Sequence, residues 1–157
     1  MGKRRIAREM TTQMLYQSEL GSSTAQQVLS NFDKSDYLAG PSHEFAARKR
    51  LVDEAFTYAG KLLAGTLAHR DEIDEVIRSL ADNWRLERMP AVDRNILRWA
   101  IYEILHEHET PDLVVVDEAI ELAKKFGSEQ SGRFVNGLLD GLLRSRRSGP
   151  VSGGEQR

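Results

Sequence analysis

The chain has 157 residues, 40% of them hydrophobic, which suits one domain able to bury a continuous core. Its 22 basic and 24 acidic residues leave a formal charge of −2, and it has no cysteine, which excludes disulfides, thiol nucleophiles and Cys-ligated zinc or iron–sulfur centres and fits a reducing cytosol. The longest purely aliphatic run, residues 113–116, is too short to span a bilayer, and no apolar stretch follows the basic N-terminus as a secretory leader requires; a cytoplasmic protein with no membrane partner is expected.

In chain order, Arg4 to about Leu20 has helical periodicity, with Ile6, Met10 and Met14 at i, i+4 and i+8, and Gly21 ends it. Ser22 and Ser23 are candidate N-caps for a short helix through about Phe32. "KSDYLAGPS", residues 34–42, reads as a loop because Gly40-Pro41 cannot continue a helix. A long amphipathic segment follows from His43 to about Ala68, carrying Phe45, Leu51, Val52, Ala55, Phe56, Ala59, Leu62 and Leu63, with Gly60 and Gly65 as marks of close packing. Asp71 to about Asp82 is the next helix, with Ile73, Val76, Ile77 and Leu80 on one face and Trp84 after it. Pro90 suits a helix start, and "AVDRNILRWAIYEILHE" is apolar around much of its circumference, as a central helix should be. "TPDLVVVDEAIELAKKFG" opens on valines that could form a strand, but Val116, Ala119, Ile120, Ala123 and Phe126 recur with helical spacing, and Gly127 is the C-cap. Ser128 caps a last helix through about Arg144, and residues 146–157 read as a polar, aperiodic tail without fixed structure. The expected class is all-α, with about seven helices and no internal repeat.

Catalytic and metal chemistry finds little support. His106 and His108 are two apart, about 200° around a helix, and cannot share an ion as i, i+4 ligands would. His43 and His69 lack carboxylates at metal-ligand spacing, so all four histidines read as surface or helix-end groups and no metal is expected. The glycines form no phosphate loop or dinucleotide fingerprint, Gly137 and Gly141 suggest close packing only, and Asp117 with Glu118 point different ways from a helix. Neither an enzyme nor a cofactor is expected.

Charge is distributed unevenly. Lys3, Arg4, Arg5 and Arg8 supply four of the basic residues, so the remainder sets 18 basic against 24 acidic and is net −6. Cations at a helix N-terminus oppose its dipole and cost a few tenths of a kcal/mol each, so their clustering points to a patch with a use. At about 100° per residue, with Arg4 at zero, Arg8 falls near 40°, Arg5 near 100° and Tyr16 near 120°, while Ile6, Met10 and Met14 fall near 200–280°. Such a helix packs on one side and offers guanidinium groups and an aromatic ring on the other. Guanidinium forks suit phosphate, and Arg and Tyr both stack on unpaired bases, which favours single-stranded RNA over duplex DNA. A solvated charged face is the plain alternative.

Three segments also resemble a known family, the NusB transcription antitermination factors: "RRIAREMTTQMLY" its arginine-rich first helix, "DRNILRWAIYE" its central helix, and "DEAIELAKKFGSEQSGRFVNGLLD" its C-terminal signature, the most specific of the three. The resemblance runs from about Arg4 to Leu143, with little of it in residues 33–42. It implies a compact all-helical fold of two small subdomains, the RNA-binding domain spanning residues 1–145. It further implies a non-enzymatic protein that binds boxA, a single-stranded element of ribosomal RNA operon leaders, together with NusE, a ribosomal small-subunit protein, and joins other Nus factors on the RNA polymerase elongation complex. Carried onto matching positions, the RNA surface would comprise Arg4, Arg5, Arg8, Tyr16, Lys124, Arg133 and Phe134, and the NusE side Glu87, Asp93 and Arg94. On pattern alone Phe134 is more readily a core residue than an RNA contact, alongside Val135, Leu138, Leu139 and Leu142. Ile6 stands where relatives can carry another basic residue, and Gln130 where an acidic one can occur. Other readings are the NusB-like domain of an rRNA cytosine methyltransferase, a protein-only helical adaptor, and a homodimer that hides the arginine face.

Overall fold

The structure is a computed structural model that describes residues 2–81 and 85–148. The described residues form eight α-helices and no strand: α1 (Lys3–Gly21), α2 (Ala25–Asn31), α3 (Ser35–Leu38), α4 (Phe45–Ala68), α5 (Arg70–Leu80), α6 (Ala91–His106), α7 (Asp112–Phe126) and α8 (Glu129–Ser148). Single 3-10 turns at Ser42–Glu44 and Leu86–Arg88 precede α4 and α6. The chain divides into two compact units, Met1–Arg70 and Asp71–Arg157, where composition suggested one domain and the family resemblance two subdomains.

In the first unit α1 packs mainly along α4, with α2 against both and α3 against α4. Ala7, Met10 and Met14 of α1, Val28 of α2, and Val52, Ala55, Ala59, Leu62 and Leu63 of α4 are buried. Each large apolar side chain removed from water contributes about 1.5–3 kcal/mol, which outweighs any single helix propensity in this segment. The ends follow local chemistry. Ser22 takes a left-handed conformation (φ 51°) and closes α1, so it ends one helix instead of starting the next. Thr24 starts α2 through a reciprocal capping box, its Oγ1 accepting from the Gln27 N–H while the Gln27 side chain accepts from the Thr24 N–H. Residues 35–38, expected as loop, close one helical turn, fixed by Tyr37, whose hydroxyl donates to Glu9 Oε1 (3.2 Å) and accepts from Gln13 Nε2 (3.0 Å). Burial, then Glu9, push the Tyr37 phenol above its ordinary pKa, so it stays a donor throughout the working range. Gly60 has ordinary van der Waals room, 3.6 Å from Leu29 for an added Cβ, so it does not mark an unusually close approach.

In the second unit α6 packs against α7 and α8, which also pack on each other. Ile96, Leu97, Trp99, Ala100, Ile101 and Ile104 of α6 are buried, bearing out its reading as a central helix. Ile73 and Ile77 of α5, Val115, Ala119 and Leu122 of α7, and Val135, Leu138, Leu139 and Leu142 of α8 complete the core. Phe126, placed in the α7 core stripe by periodicity, is 37% exposed. Gly127 does close α7, though not in a left-handed conformation (φ −118°). It is required by crowding: an added Cβ would lie 2.8 Å from the Ala123 carbonyl and 2.6 Å from Ser131 Oγ. Gly137 faces open space, so the expectation of close packing there fails. Ser128 caps α8, its Oγ accepting from the Ser131 N–H at 3.1 Å. The helix then continues through Ser148, beyond the predicted Arg144, because arginine is a good helix former and needs no apolar partner. Residues 146–148 are therefore helical; Trp84 and residues 149–157 lie outside the described residues.

One ion pair ties α5 to α6 inside this core. Arg98 donates from Nε to Asp74 Oδ1 (2.9 Å), from Nη2 to Asp74 Oδ2 (3.1 Å) and from Nη1 to Asn95 Oδ1 (3.1 Å), with Arg98 6% and Asp74 7% exposed. Asp74→Ala leaves that guanidinium buried without its carboxylate and is expected to cost about 3–5 kcal/mol in urea denaturation. Replacing both residues, as Asp74→Leu with Arg98→Met, is expected to recover most of the loss; a double variant as unstable as the single one would show that the pair itself is required.

Candidate nucleic-acid interface

The first turn of α1 has no side-chain cap and no acidic residue, so its cations meet an uncompensated positive helix end. Compensation comes from α4. Lys3 Nζ lies 3.6 Å from Glu54 Oε1, a pair about half exposed and worth less than about 1 kcal/mol. The Arg4 guanidinium lies over the Tyr58 ring, 4.5 Å from its centroid, and its Nη1 reaches the Tyr58 hydroxyl at 3.4 Å. That stacking contributes about 0.5–1 kcal/mol and holds the guanidinium against α4. Arg4 and Arg5 are both half-buried, with part of each side chain left to solvent.

Arg8 departs from expectation: it is 2% exposed and cannot present its guanidinium outward. Every residue from Ile6 to Thr12 is buried, Glu9 among them, so α1 is enclosed around its circumference there and has no outward flank. The two-sided geometry of the sequence assumed one packing side; it holds only for the later turns, where Gln13, Tyr16 and Gln17 face solvent and Tyr16 is 46% exposed. Leu20, also on these turns, is 71% exposed. In the first unit the candidate surface therefore consists of Arg4, Arg5 and Tyr16.

In the second unit the residues of the C-terminal signature cluster at the corner between α7 and α8. Lys124 lays its aliphatic stem over Gly132, where an added Cβ would come within 2.7 Å of Lys124 Cγ, and its Nζ stands 4.0 Å from Glu129. Arg133 is exposed and Phe134 half-buried, so the ring is neither core nor fully presented. Phe134 instead walls a pocket of about 310 Å³, together with Met89 and Pro90 from the segment before α6. Arg88, Asp93 and Gln130 supply its polar lining, and the hydroxyls of Ser128 and Ser131 complete it at the start of α8. Asp93 and Phe134, expected on different binding sides, thus share one pocket.

Of the residues expected to face NusE, Glu87 is exposed on the 3-10 turn. Arg94 is occupied, its Nη1 donating to the carbonyls of Leu86 (3.2 Å) and Met89 (2.9 Å), so it braces the segment that forms the pocket wall. Asp93 is only 4% exposed, out of reach of a flat partner surface. Burial holds its carboxyl above the usual carboxylate range, a hydrogen bond with Ser131 pulls the other way, and Oδ1 has no partner among the described residues. Sequence reasoning missed Tyr58, which carries no pattern of its own, and Arg88 and Ser131. The last had a signal in "SEQS", a serine three residues after a serine cap.

Comparison with known proteins agrees with the segments singled out above. A sequence profile of the NusB family matches residues 5–144. This chain belongs to the NusB family. It is 43% identical over 151 residues to the transcription antitermination protein NusB of Elusimicrobium minutum (strain Pei191), covering 95% of this chain and 99% of that one. It is likewise 43% identical over 140 residues to that of Myxococcus xanthus (strain DK1622), covering 89% and 94%. Among solved structures it resembles a T. maritima NusB (TM-score 0.71, 33% identity, 90% of each chain covered). It also resembles a chain from the crystal structure of antitermination factors NusB and NusE in complex with double-stranded RNA (TM-score 0.69, 25% identity, covering 91% of this chain and 97% of that one).

The Asp93 environment has a measurable consequence. Between the ordinary carboxylate pKa, about 3.9, and the raised folded value, the native state keeps a proton that the unfolded chain has lost, so stability falls as pH rises through that window. Asp93→Asn is expected to remove this decline, making the variant about 1–3 kcal/mol more stable than the parent at pH 7 and nearly equal to it at pH 3. Urea denaturation across pH measures this; parallel stability profiles would show that the carboxylate is not desolvated.

Proposed function

We propose that this NusB-family protein is a non-enzymatic, cytoplasmic, RNA-binding antitermination factor that binds single-stranded boxA RNA with NusE and acts on the RNA polymerase elongation complex with other Nus factors. The observation that carries the RNA reading is the placement of Arg4. Its guanidinium is stacked on Tyr58 at the positive end of α1, which no side chain of its own first turn caps, beside Arg5, in a chain whose remaining charge is acidic. Stacked guanidinium groups and the exposed Tyr16 ring suit phosphates and unpaired bases together. Lys124, Arg133 and Phe134 offer the same combination of cation and ring at the α7–α8 corner. The reading is supported by relatives covered nearly end to end and named as antitermination proteins, and by a structural neighbour solved with NusE and RNA. Exposed Glu87 supplies the acidic contact for a basic ribosomal protein. Arg8 belongs to the folded interior and not to the RNA surface.

Electrophoretic mobility shifts with boxA RNA at several salt concentrations, with and without NusE, test the assignment. Replacing Arg4 and Arg5 together by alanine is expected to weaken binding and lower the log–log salt slope by about 0.7 for each phosphate no longer neutralised. An unchanged slope would reject this surface, and NusE binding with no RNA contribution would make the protein an adaptor between proteins.

A further inference from the structure

No two histidines of this chain are spaced to share an ion on one helix, yet the folded chain brings two of them to one carboxylate. His69 is the single residue between α4 and α5, and Glu72 lies three residues on, in the first turn of α5, so the chain itself sets their separation. His106 is the last residue of α6 and places Nε2 2.8 Å from Glu72 Oε1. One ligand atom from each of the three side chains lies within 4.8 Å of the other two. Charge pairing explains the contact of His106 with Glu72, but not a second imidazole at the same place.

We propose that His69, Glu72 and His106 bind a zinc-like divalent transition-metal ion, which staples the start of α5 to the end of α6. The donor set comes first. Two imidazole nitrogens and one carboxylate oxygen are a set that zinc takes with a fourth position left to water. The Glu72 and His106 side chains are 51% and 30% exposed, so that position opens to solvent. Calcium and magnesium, which take oxygen ligands, are disfavoured by the two nitrogens. Distance comes second. Zinc bonds of about 2.0–2.2 Å at tetrahedral angles hold neighbouring ligand atoms about 3.3 Å apart. His106 Nε2 and Glu72 Oε1 therefore part by about half an ångström, the ion taking the place of the hydrogen between them, and His69 closes in by at most about 1.5 Å.

The surroundings prepare these ligands. His69 Nδ1 lies 2.9 Å from the carbonyl of Gly65, which only accepts, so Nδ1 carries the ring proton and Nε2 the lone pair that a metal needs. The His106 ring packs against that of Tyr102, with centroids 5.7 Å apart. The ion pair of Arg98 with Asp74 fixes α5 on α6 two residues beyond Glu72. Little ordering is left for the ion to impose. Asp71 and Glu107 adjoin ligands in the sequence, against Arg70 alone, so local charge favours a cation and offsets the positive end of α5.

The test is isothermal titration calorimetry of the untagged full chain with zinc chloride, with cobalt(II) chloride adding the visible absorption of the bound ion as a readout of its ligands. One ion per chain is expected. His69→Ala, Glu72→Gln and His106→Ala are each expected to weaken binding at least about tenfold and to abolish the cobalt absorption. His43→Ala and His108→Ala, at exposed positions outside the group, are expected to bind as the parent does. Zinc is also expected to raise the melting temperature of the parent, reversibly on addition of EDTA, and to leave that of the three ligand variants unchanged. Circular dichroism checks that each variant keeps its helices, and Glu72→Gln, which preserves size and hydrogen bonding, carries the test where a histidine variant unfolds. Binding that survives His69→Ala, or that is lost in His43→Ala or His108→Ala, overturns the site. Absence of both zinc heat and cobalt absorption in the parent protein overturns it too.

Discussion

An amphipathic stripe leaves part of a helix in water, yet α1 is shielded at every position from Ile6 to Thr12. Enclosure of that kind removes a helix's freedom to keep charge on an outer face. Arg8 and Glu9 are therefore carried inside, and the cations that remain accessible are confined to the first turn, Lys3 to Arg5. That turn is electrostatically the worst place on the helix for them. The arrangement persists because α4 runs alongside and supplies Glu54 and the Tyr58 ring. The burial of α1 from Ile6 to Thr12 thus decides which of its arginines remain accessible.

The second unit shows the same logic with the opposite sign. Asp74 and Asp93 are buried to a similar degree, 7% and 4% exposed. Arg98 meets Asp74 with a planar, two-pronged contact that fixes α5 against α6, so the desolvation of both charges is offset. Asp93 shares a hydrogen bond with Ser131, at the start of α8, and among the described residues its buried Oδ1 has no partner. The first carboxylate works as a structural joint. The second is a local weakness at the point where α6, α8 and the segment braced by Arg94 converge.

Much of the fold was legible in the sequence, because its long helices carry their own period and punctuation. The six longer helices were anticipated to within a few residues at most ends, since Pro90, Gly127 and Ser128 stand where the chain must start or stop. The short elements were not. Four residues, Ser35–Leu38, contain no period to detect, and the turn exists because Tyr37 reaches Glu9, a contact between positions 28 apart in sequence. The start of α2 was written in the sequence as Thr24-x-x-Gln27, a stronger signal than the serines before it, one of which turns out to end α1. The site was legible in part: residue types marked Arg4 and Arg5 and the family resemblance marked the α7–α8 corner, but no helical wheel built on one packing side could show that Arg8 lies inside. Nor could it show that Asp93 and Phe134 meet, because that requires α6 and α8 to be placed in three dimensions.

The stacking of Arg4 on Tyr58 has a consequence for the thermodynamics of association. A long flexible side chain ordinarily surrenders rotamer entropy when a ligand immobilises it, of the order of 0.5–1.5 kcal/mol. Here the ring has already restricted that motion during folding, so the donor fork is held in position before any ligand meets it. The entropic penalty is moved from the encounter to the earlier collapse of the chain.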